Sequence, residues 1–352
     1  MITEAFLRTH DKWVKYLTGL TAPQFRSMLS RIEADFEEYE RQRHERPGRK
    51  RAVGAGRPFA VPLLIRVVAV ITYLRLHLAQ EFIGMWFGID QVQISRDLRR
   101  LLPLIRRHVP APQVLEPLPE AERPVDPLEA LRAAFGEEGI ALLDATEQPI
   151  NRPKNAERQR EFYSGKKKRH TVKTQIVTNS AGDIAAITPP VPGKTADIKL
   201  AEQSRVAERL PEGIDAYADK GYQGLDKRVP SRGGTVDGDA EATETVPRLR
   251  VHTPTKKPKG GALTPEQQER NRALGRVRIR VEHAIGRAKN WHILADRFRC
   301  HLDIYEEAFR LWIRKPAGPR PSPSGNGSSV TAHEDDGPGR ETSSVLFVNG
   351  LY

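Results

Sequence analysis

The chain has 352 residues, with 57 Lys and Arg against 45 Asp and Glu, and a formal net charge of +12. That length accommodates two domains and a sizeable core, and the basic balance points to a polyanionic partner, nucleic acid before an anionic membrane surface. The single cysteine, Cys300, excludes an internal disulfide and suits a reducing compartment.

The charged N-terminus, MITEAFLRTHDKW, lacks the apolar core of a signal peptide. The longest apolar stretch, residues 61–76, is broken by Arg66 and Arg75 and falls short of the ~20 residues that span a bilayer. A soluble, cytoplasmic protein without membrane contact is expected.

Residues 21–44 read as a helix, with Thr21 placed to cap it, Pro23 in the first turn, and Phe25, Leu29, Ile32 and Phe36 on one face. Residues 45–58, ERPGRKRAVGAGRP, are a basic Pro/Gly-rich linker. Residues 61–108 are helical again, and within them QEFIGMWFGIDQVQISRDLRRLLP has helix-turn-helix spacing at about 78–102. Gly84 allows a close crossing, Gly88 ends the first helix, Ile89 is buried, Asp90 caps the second helix, and Ile94 and Leu98 lie on its inner face. Gln91, Gln93, Ser95 and Arg96 then point outward, as residue types that read adenine and guanine, with Arg99 and Arg100 near phosphates. An ordinary α-hairpin with a solvated polar face fits the same local pattern. The helical region is assigned to 1–110 and the proline-rich stretch 111–127 is taken as the linker between domains.

From residue 128 the pattern becomes mixed. EALRAAFGEEG is a short helix or loop, IALLDA a strand, and HTVKTQIVTNSAGDIAAITPP two strands about a turn at 179–182. ADIKLAEQSRVAERL reads as a helix and IDAYAD as a short strand. Residues 221–263 are irregular apart from a strand at RLRVHTP. A long basic helix runs from Pro265 to about Trp291, with Thr264 and Gln267 as a capping box and Gly275 as a point of interruption. The sum is a layered α/β domain over 128–314. Residues 315–352, rich in Pro, Gly and Ser, read as disordered.

Two acids close apolar runs, Asp144 in LLDA and Asp219 in YADKGYQG. Each is either a turn residue or a ligand. If the two strands are neighbours, the carboxylates converge and repel unless a cation sits between them; oxygen donors of this kind select Mg²⁺ or Mn²⁺ over zinc. Glu282 lies at the edge of the helix face formed by Val277, Val281, Ile285 and Ala288. Arg278, Gly286 and Lys289 lie beside it. It is either a third ligand next to DNA phosphates or a surface residue in i, i+4 pairs.

The succession LLDATEQPI, YSGKKKRHTVKTQIV, PGKTADIKL, ADKGYQG and LTPEQQERNRALGRVRIRVEHAIGRAKNW resembles the DDE-type transposases of bacterial insertion sequences, over roughly residues 135–300. LTGLTAPQF and the helix-turn-helix resemble the DNA-binding domain that often precedes them. The resemblance implies a ribonuclease H-like mixed sheet flanked by helices. It implies Asp144, Asp219 and Glu282 as the catalytic, metal-binding triad for two Mg²⁺ or Mn²⁺ ions. It also implies cutting and joining of double-stranded DNA, assembly into a homo-oligomer on that DNA, and association with the nucleoid. Lys166, Lys167, Lys168 and Arg169 would bind phosphates, or form a solvated basic turn; Arg278 and Lys289 would hold the DNA backbone. A regulator that binds without cutting, and a nuclease that cuts without joining, are the alternatives. The chain departs from the family at Ala145, where Gly is usual, at Ala196, where His is usual, and in the polar tail after YEEAFRLW, where an apolar helix is usual. Asp197 is left either capping the helix it begins or assisting the site. Tyr222 and Trp291 are expected to pack in the core.

Overall fold

The structure is a computed structural model that describes residues 1–45, 59–109, 112–117, 128–135, 139–228 and 249–310. The basic linker after residue 45 and the tail from 315 lie outside the described residues.

Six helices form the front of the chain: α1 (Glu4–Thr9), α2 (Asp11–Thr18), α3 (Ala22–His44), α4 (Leu63–Leu76), α5 (Gln80–Phe87) and α6 (Gln91–Arg107). Thr21 and Gln24 close a capping box on α3, as the sequence requires. Residues 61–108 hold three helices: Gly88 stops α5 in a left-handed conformation, as expected, and His77 does the same for α4. Asp90 caps α6 by accepting the Gln93 N–H at 2.7 Å, and Ile89 is buried. Gly84 serves the turn itself, since a side chain there would strike the Ile89 carbonyl.

Helix α4 is buried from Leu64 to Leu74 without interruption, which makes it the centre of the bundle. That burial includes Arg66. Its guanidinium grips Asp97 of α6 with two parallel hydrogen bonds, one of them Nε to Oδ2 at 2.9 Å, and both residues are about 1% exposed. The Phe59 ring covers the guanidinium at 4.0 Å from its centroid.

The strands are β1 (Gln113–Val114), β2 (Ile140–Pro149), β3 (Tyr163–Ser164), β4 (Arg169–Asn179), β5 (Ile184–Ile187), β6 (Val191–Pro192), β7 (Ile214–Ala218) and β8 (Leu249–His252). Among the described residues they build one mixed sheet in the order β1-β5-β4-β2-β7-β8, with β3 and β6 paired to β4. Pairing is antiparallel from β2 through β4 to β5 and parallel from β2 through β7 to β8. This is the ribonuclease H-like mixed sheet. The stretch read as a proline-rich linker supplies β1, which pairs with β5.

The remaining helices are α7 (Glu129–Phe135), α8 (Ala156–Phe162), α9 (Asp197–Ser204), α10 (Val206–Arg209), α11 (Pro265–Lys289), α12 (His292–Ala295) and α13 (Leu302–Arg310). The helix expected over 196–210 breaks in two at Arg205, whose φ is 48°. The long basic helix runs through Gly275 unbroken, behind the expected Thr264–Gln267 capping box. Alternation along β2 sends Ala141 and Leu143 into an apolar layer with Leu131, Phe135 and Leu210. Leu142 goes to the opposite face, where Val281, Ile293 and Tyr305 continue into α4 and α6. The described residues form one compact unit.

The buried Arg66–Asp97 pair sets a direct test. Asp97→Ala leaves a desolvated guanidinium without its partner and is expected to cost about 3–5 kcal/mol in urea unfolding. Replacing both residues by apolar ones of similar size is expected to cost far less.

Candidate active site

Strand β2 carries Asp144 at its middle and not, as the sequence suggested, at its end; the ladder with β4 continues to Pro149, and Asp144 faces Ile176. The partnership with β7 does end there. It runs from Ile140↔Asp215 to Leu143↔Ala218, so the next residue on each strand is an aspartate, Asp144 on one and Asp219 on the other. Period-two alternation sends both side chains to the face covered by α11. The chain beyond Asp219 leaves the sheet in a turn of 3₁₀ helix at Lys220–Tyr222.

Helix α11 packs on β2, β4 and β7 through Leu274, Val281, Ala284 and Ala288. Arg278, mostly buried, places Nη1 3.5 Å from Asp219 Oδ1. Glu282, one turn further on, is solvent-exposed. Its charge reaches Asp144 all the same. Burial pushes the Asp144 carboxyl above its ordinary range, and the negative charges of Asp219 and Glu282 push the same way; the Ala145 N–H, donating to Oδ1 at 2.8 Å, and Arg278 pull it back. Lys289 reaches water, yet the surrounding protein and neighbouring Lys167 lower its pKa, while Asp144 raises it. The electrostatics therefore join Asp144, Asp219, Glu282, Arg278, Lys289 and Lys167 in one neighbourhood.

Lys166, Lys167 and Lys168 are exposed in the turn between β3 and β4, and Arg169 is exposed at the start of β4. Lys168 sits there at φ 54°, and the Lys167 N–H donates to Ser164 Oγ at 3.2 Å. Through Lys167 this turn borders the acids. Gln91, Gln93, Ser95 and Arg96 belong to a different surface. Arg96 is exposed and Ser95 half-buried. Gln91 donates to Gln80 Oε1 at 2.8 Å. Gln91 and Ser95 line a cleft of about 570 Å³ with Arg99 and the segment 299–301.

Sequence reading left Asp197 between two roles. It caps nothing: the N-cap of α9 is Ala196, and Asp197 accepts from Lys173 Nζ at 2.9 Å. Lys173 also donates to the Thr195 carbonyl at 2.6 Å. Asp197 lies so close to the Asp219 turn that a Cβ on Gly221 would come within 2.6 Å of its Oδ2. Tyr222 is fully buried, as expected. Burial, and then the charges of Asp197, Asp144 and Asp219, raise its hydroxyl well above the usual phenol range. The signal in the sequence was Lys173, a cation between the buried residues Val172 and Thr174 of β4.

The donor chemistry suits a hard divalent ion, since three carboxylates supply only oxygen. Among the described residues no three His, Cys, Asp or Glu side chains lie close enough to make a ready-formed metal cluster. Also among the described residues, no helix is long and apolar enough to cross a membrane.

Residues 143–312 match the DDE superfamily endonuclease family. Enzymes of that superfamily generally use divalent metals. Over 292 residues the chain is 29% identical to the probable transposase for insertion sequence element IS702 of Microchaete diplosiphon, covering 81% of this chain and 86% of the relative. Over 290 residues it is 23% identical to the putative transposase for insertion sequence element IS112 of Streptomyces albus G, covering 82% and 88%. No solved structure matches.

A carboxyl whose folded pKa lies above its unfolded value, about 3.9 for Asp, loses stability as pH rises from the unfolded value through the folded one. Asp144→Asn is therefore expected to raise Tm at pH 7–8 and to leave it unchanged near pH 3, where the acid is protonated in both states. Mg²⁺ at 100 times its Kd is expected to stabilise the wild type by about 2.7 kcal/mol and the variant by much less. Thermal unfolding with and without the ion measures both.

Proposed function

We propose that this chain is an insertion-sequence transposase that cuts DNA at the ends of its element and joins the freed end to target DNA. In this reading residues 1–110 recognise DNA and residues 128–314 carry the chemistry. One observation supports it above the others: the β2–β7 register sets Asp144 beside Asp219 under α11, in a chain whose relatives are named as transposases.

Asp144, Asp219 and Glu282 would hold Mg²⁺ or Mn²⁺ through oxygen alone, and the charges of Asp219 and Glu282 both act on Asp144. When bound, a pair of such ions activates water or a DNA 3′-hydroxyl and stabilises the leaving oxygen. Lys167, Lys289 and Arg278 bring positive charge to the same place and hold the phosphodiester. The Lys173–Asp197 pair braces the turn after Asp219. Tyr222 closes the floor of the site against water. On α6, Arg96 and Gln93 read bases, with Gln91 and Ser95 at the edge of the cleft. A homo-oligomer on paired DNA ends is part of the proposal.

Duplex oligonucleotides copied from the DNA flanking the gene test it. With Mg²⁺ the wild type is expected to give nicked and joined products, and Asp144→Asn is expected to lose on the order of 10³-fold or more in rate. Cutting without joining would make the protein a nuclease. Binding without either product, in wild type and variant alike, would make it a DNA-binding regulator.

A further inference from the structure

Helix α11 presents a second basic face that the active site does not use. Arg276, Arg280, His283 and Arg287 are all exposed, and at 100° per residue they lie ~100–160° around the helix from Glu282. Arg272, one turn earlier, is paired with Glu269 at 3.3 Å. None of the other four forms an ion pair among the described residues.

Two of the guanidiniums are held in place. Arg280 Nη1 donates to the Ser180 carbonyl at 2.8 Å, and Arg287 Nη2 donates to the Gly182 carbonyl at 2.6 Å. The turn that offers these carbonyls is itself fixed. The Gly182 N–H donates to the Asn179 carbonyl at 3.0 Å, and the Asp183 N–H donates to Asn179 Oδ1 at 2.9 Å. Gly182 has φ +79°, and a Cβ there would lie 3.3 Å from both the Arg280 carbonyl and Arg287 Nη2. A larger residue would be strained by the positive φ and would press on the helix by a few tenths of an ångström. Turn and helix together border an open hollow of about 390 Å³.

Each arginine spends one N–H on a carbonyl, which carries no charge to neutralise it. The remaining N–H groups stay charged and pre-oriented, as a phosphate site requires. From Arg276 to Arg287 the stripe runs ~16 Å along the helix axis, the length of about five phosphate steps on one DNA strand. A helix with its side chains is ~10–12 Å thick, so a straight duplex lying on the Glu282 face cannot also touch this one.

We propose that the Arg276–Arg280–His283–Arg287 face, with the Ser180–Gly182 turn, binds the backbone of a second segment of double-stranded DNA, separate from the segment at the acids. The inference rests on the DNA-acting reading above and adds a second duplex site to it.

Binding without metal tests it independently of catalysis. The full-length protein in EDTA is titrated with a short fluorescent duplex across a salt series. The absorbance ratio of the isolated complex counts duplexes per chain. The variant Arg276→Ala/Arg280→Ala/Arg287→Ala is expected to bind one duplex fewer than the wild type, with the slope of log K against log salt smaller by about 2–3. The corresponding triple lysine variant is expected to keep the wild-type stoichiometry. An alanine variant with unchanged slope and stoichiometry, or a folded one that loses all DNA binding, overturns the separate face. A wild type that binds no DNA overturns the DNA reading itself. A measurement on wild type alone covers a variant that fails to fold: duplex is expected to shield Arg276, Arg280 and Arg287 from phenylglyoxal, and unshielded arginines overturn the proposal.

Discussion

The proposed active site depends on the register of one parallel strand pair. Leu143 faces Ala218, and the chain places an aspartate directly after each. A one-residue slip of either strand would turn its acid to the opposite face, into the apolar layer that holds Leu143 and Ala218. That layer fixes the register, because Ala216 and Ala218 of β7 meet Ala141 and Leu143 of β2 in a buried apolar layer that would not take a carboxylate. The hydrophobic pattern thus sets the electrostatics: two acids, partly desolvated, side by side.

Beyond Asp144 the same strand couples the site to the helical front. Gln148, almost fully buried, donates to the carbonyls of Ile293 and Asp296 at 2.6 and 2.8 Å, and the Phe298 N–H donates to the Pro149 carbonyl at 2.8 Å. These bonds pin α12 and the segment after it to the sheet. Helix α12 in turn packs on α4 and α13 on α6, and Arg106 of α6 meets Glu307 of α13 at 3.0 Å. Helix α4 owes its position in the bundle partly to Arg66, so a line of packed and hydrogen-bonded groups runs from the Asp144 strand to α6, the helix assigned to DNA.

Much of this is written in local patterns. Both capping boxes, the Gly88 stop, the Asp90 cap and the hairpin turn at 179–182 stand where the residue types require. Asp144 and Asp219 could be named as a pair because each closes an apolar run. What the local patterns do not contain is pairing. Residues 145–149 look like a turn, since Ala, Thr, Glu, Gln and Pro show no apolar alternation. They are strand because β4 supplies a partner at every position and α12 buries Gln148. Arg66 reads as a charge that breaks an apolar run; its partner, Asp97, lies 31 residues away on another helix. Asp197 reads as a cap because it begins a helix, whereas the nearby Lys173 on β4 takes its carboxylate. In each case a contact distant in sequence outweighs the local preference. Glu282 could be singled out only through its neighbours on α11, and it is solvent-exposed in the structure.

The most direct measurement maps where a metal binds on the polypeptide. Fe²⁺ bound in place of Mg²⁺, with ascorbate and peroxide, generates hydroxyl radicals that cut the backbone next to the ligands. Peptide mass mapping of the fragments locates the cuts. This account predicts three clusters of cuts, around residues 144, 219 and 282, all suppressed by excess Mg²⁺ and absent in Asp144→Asn. Cuts confined to one segment, or clustered away from these residues, would contradict a metal site shared by β2, β7 and α11.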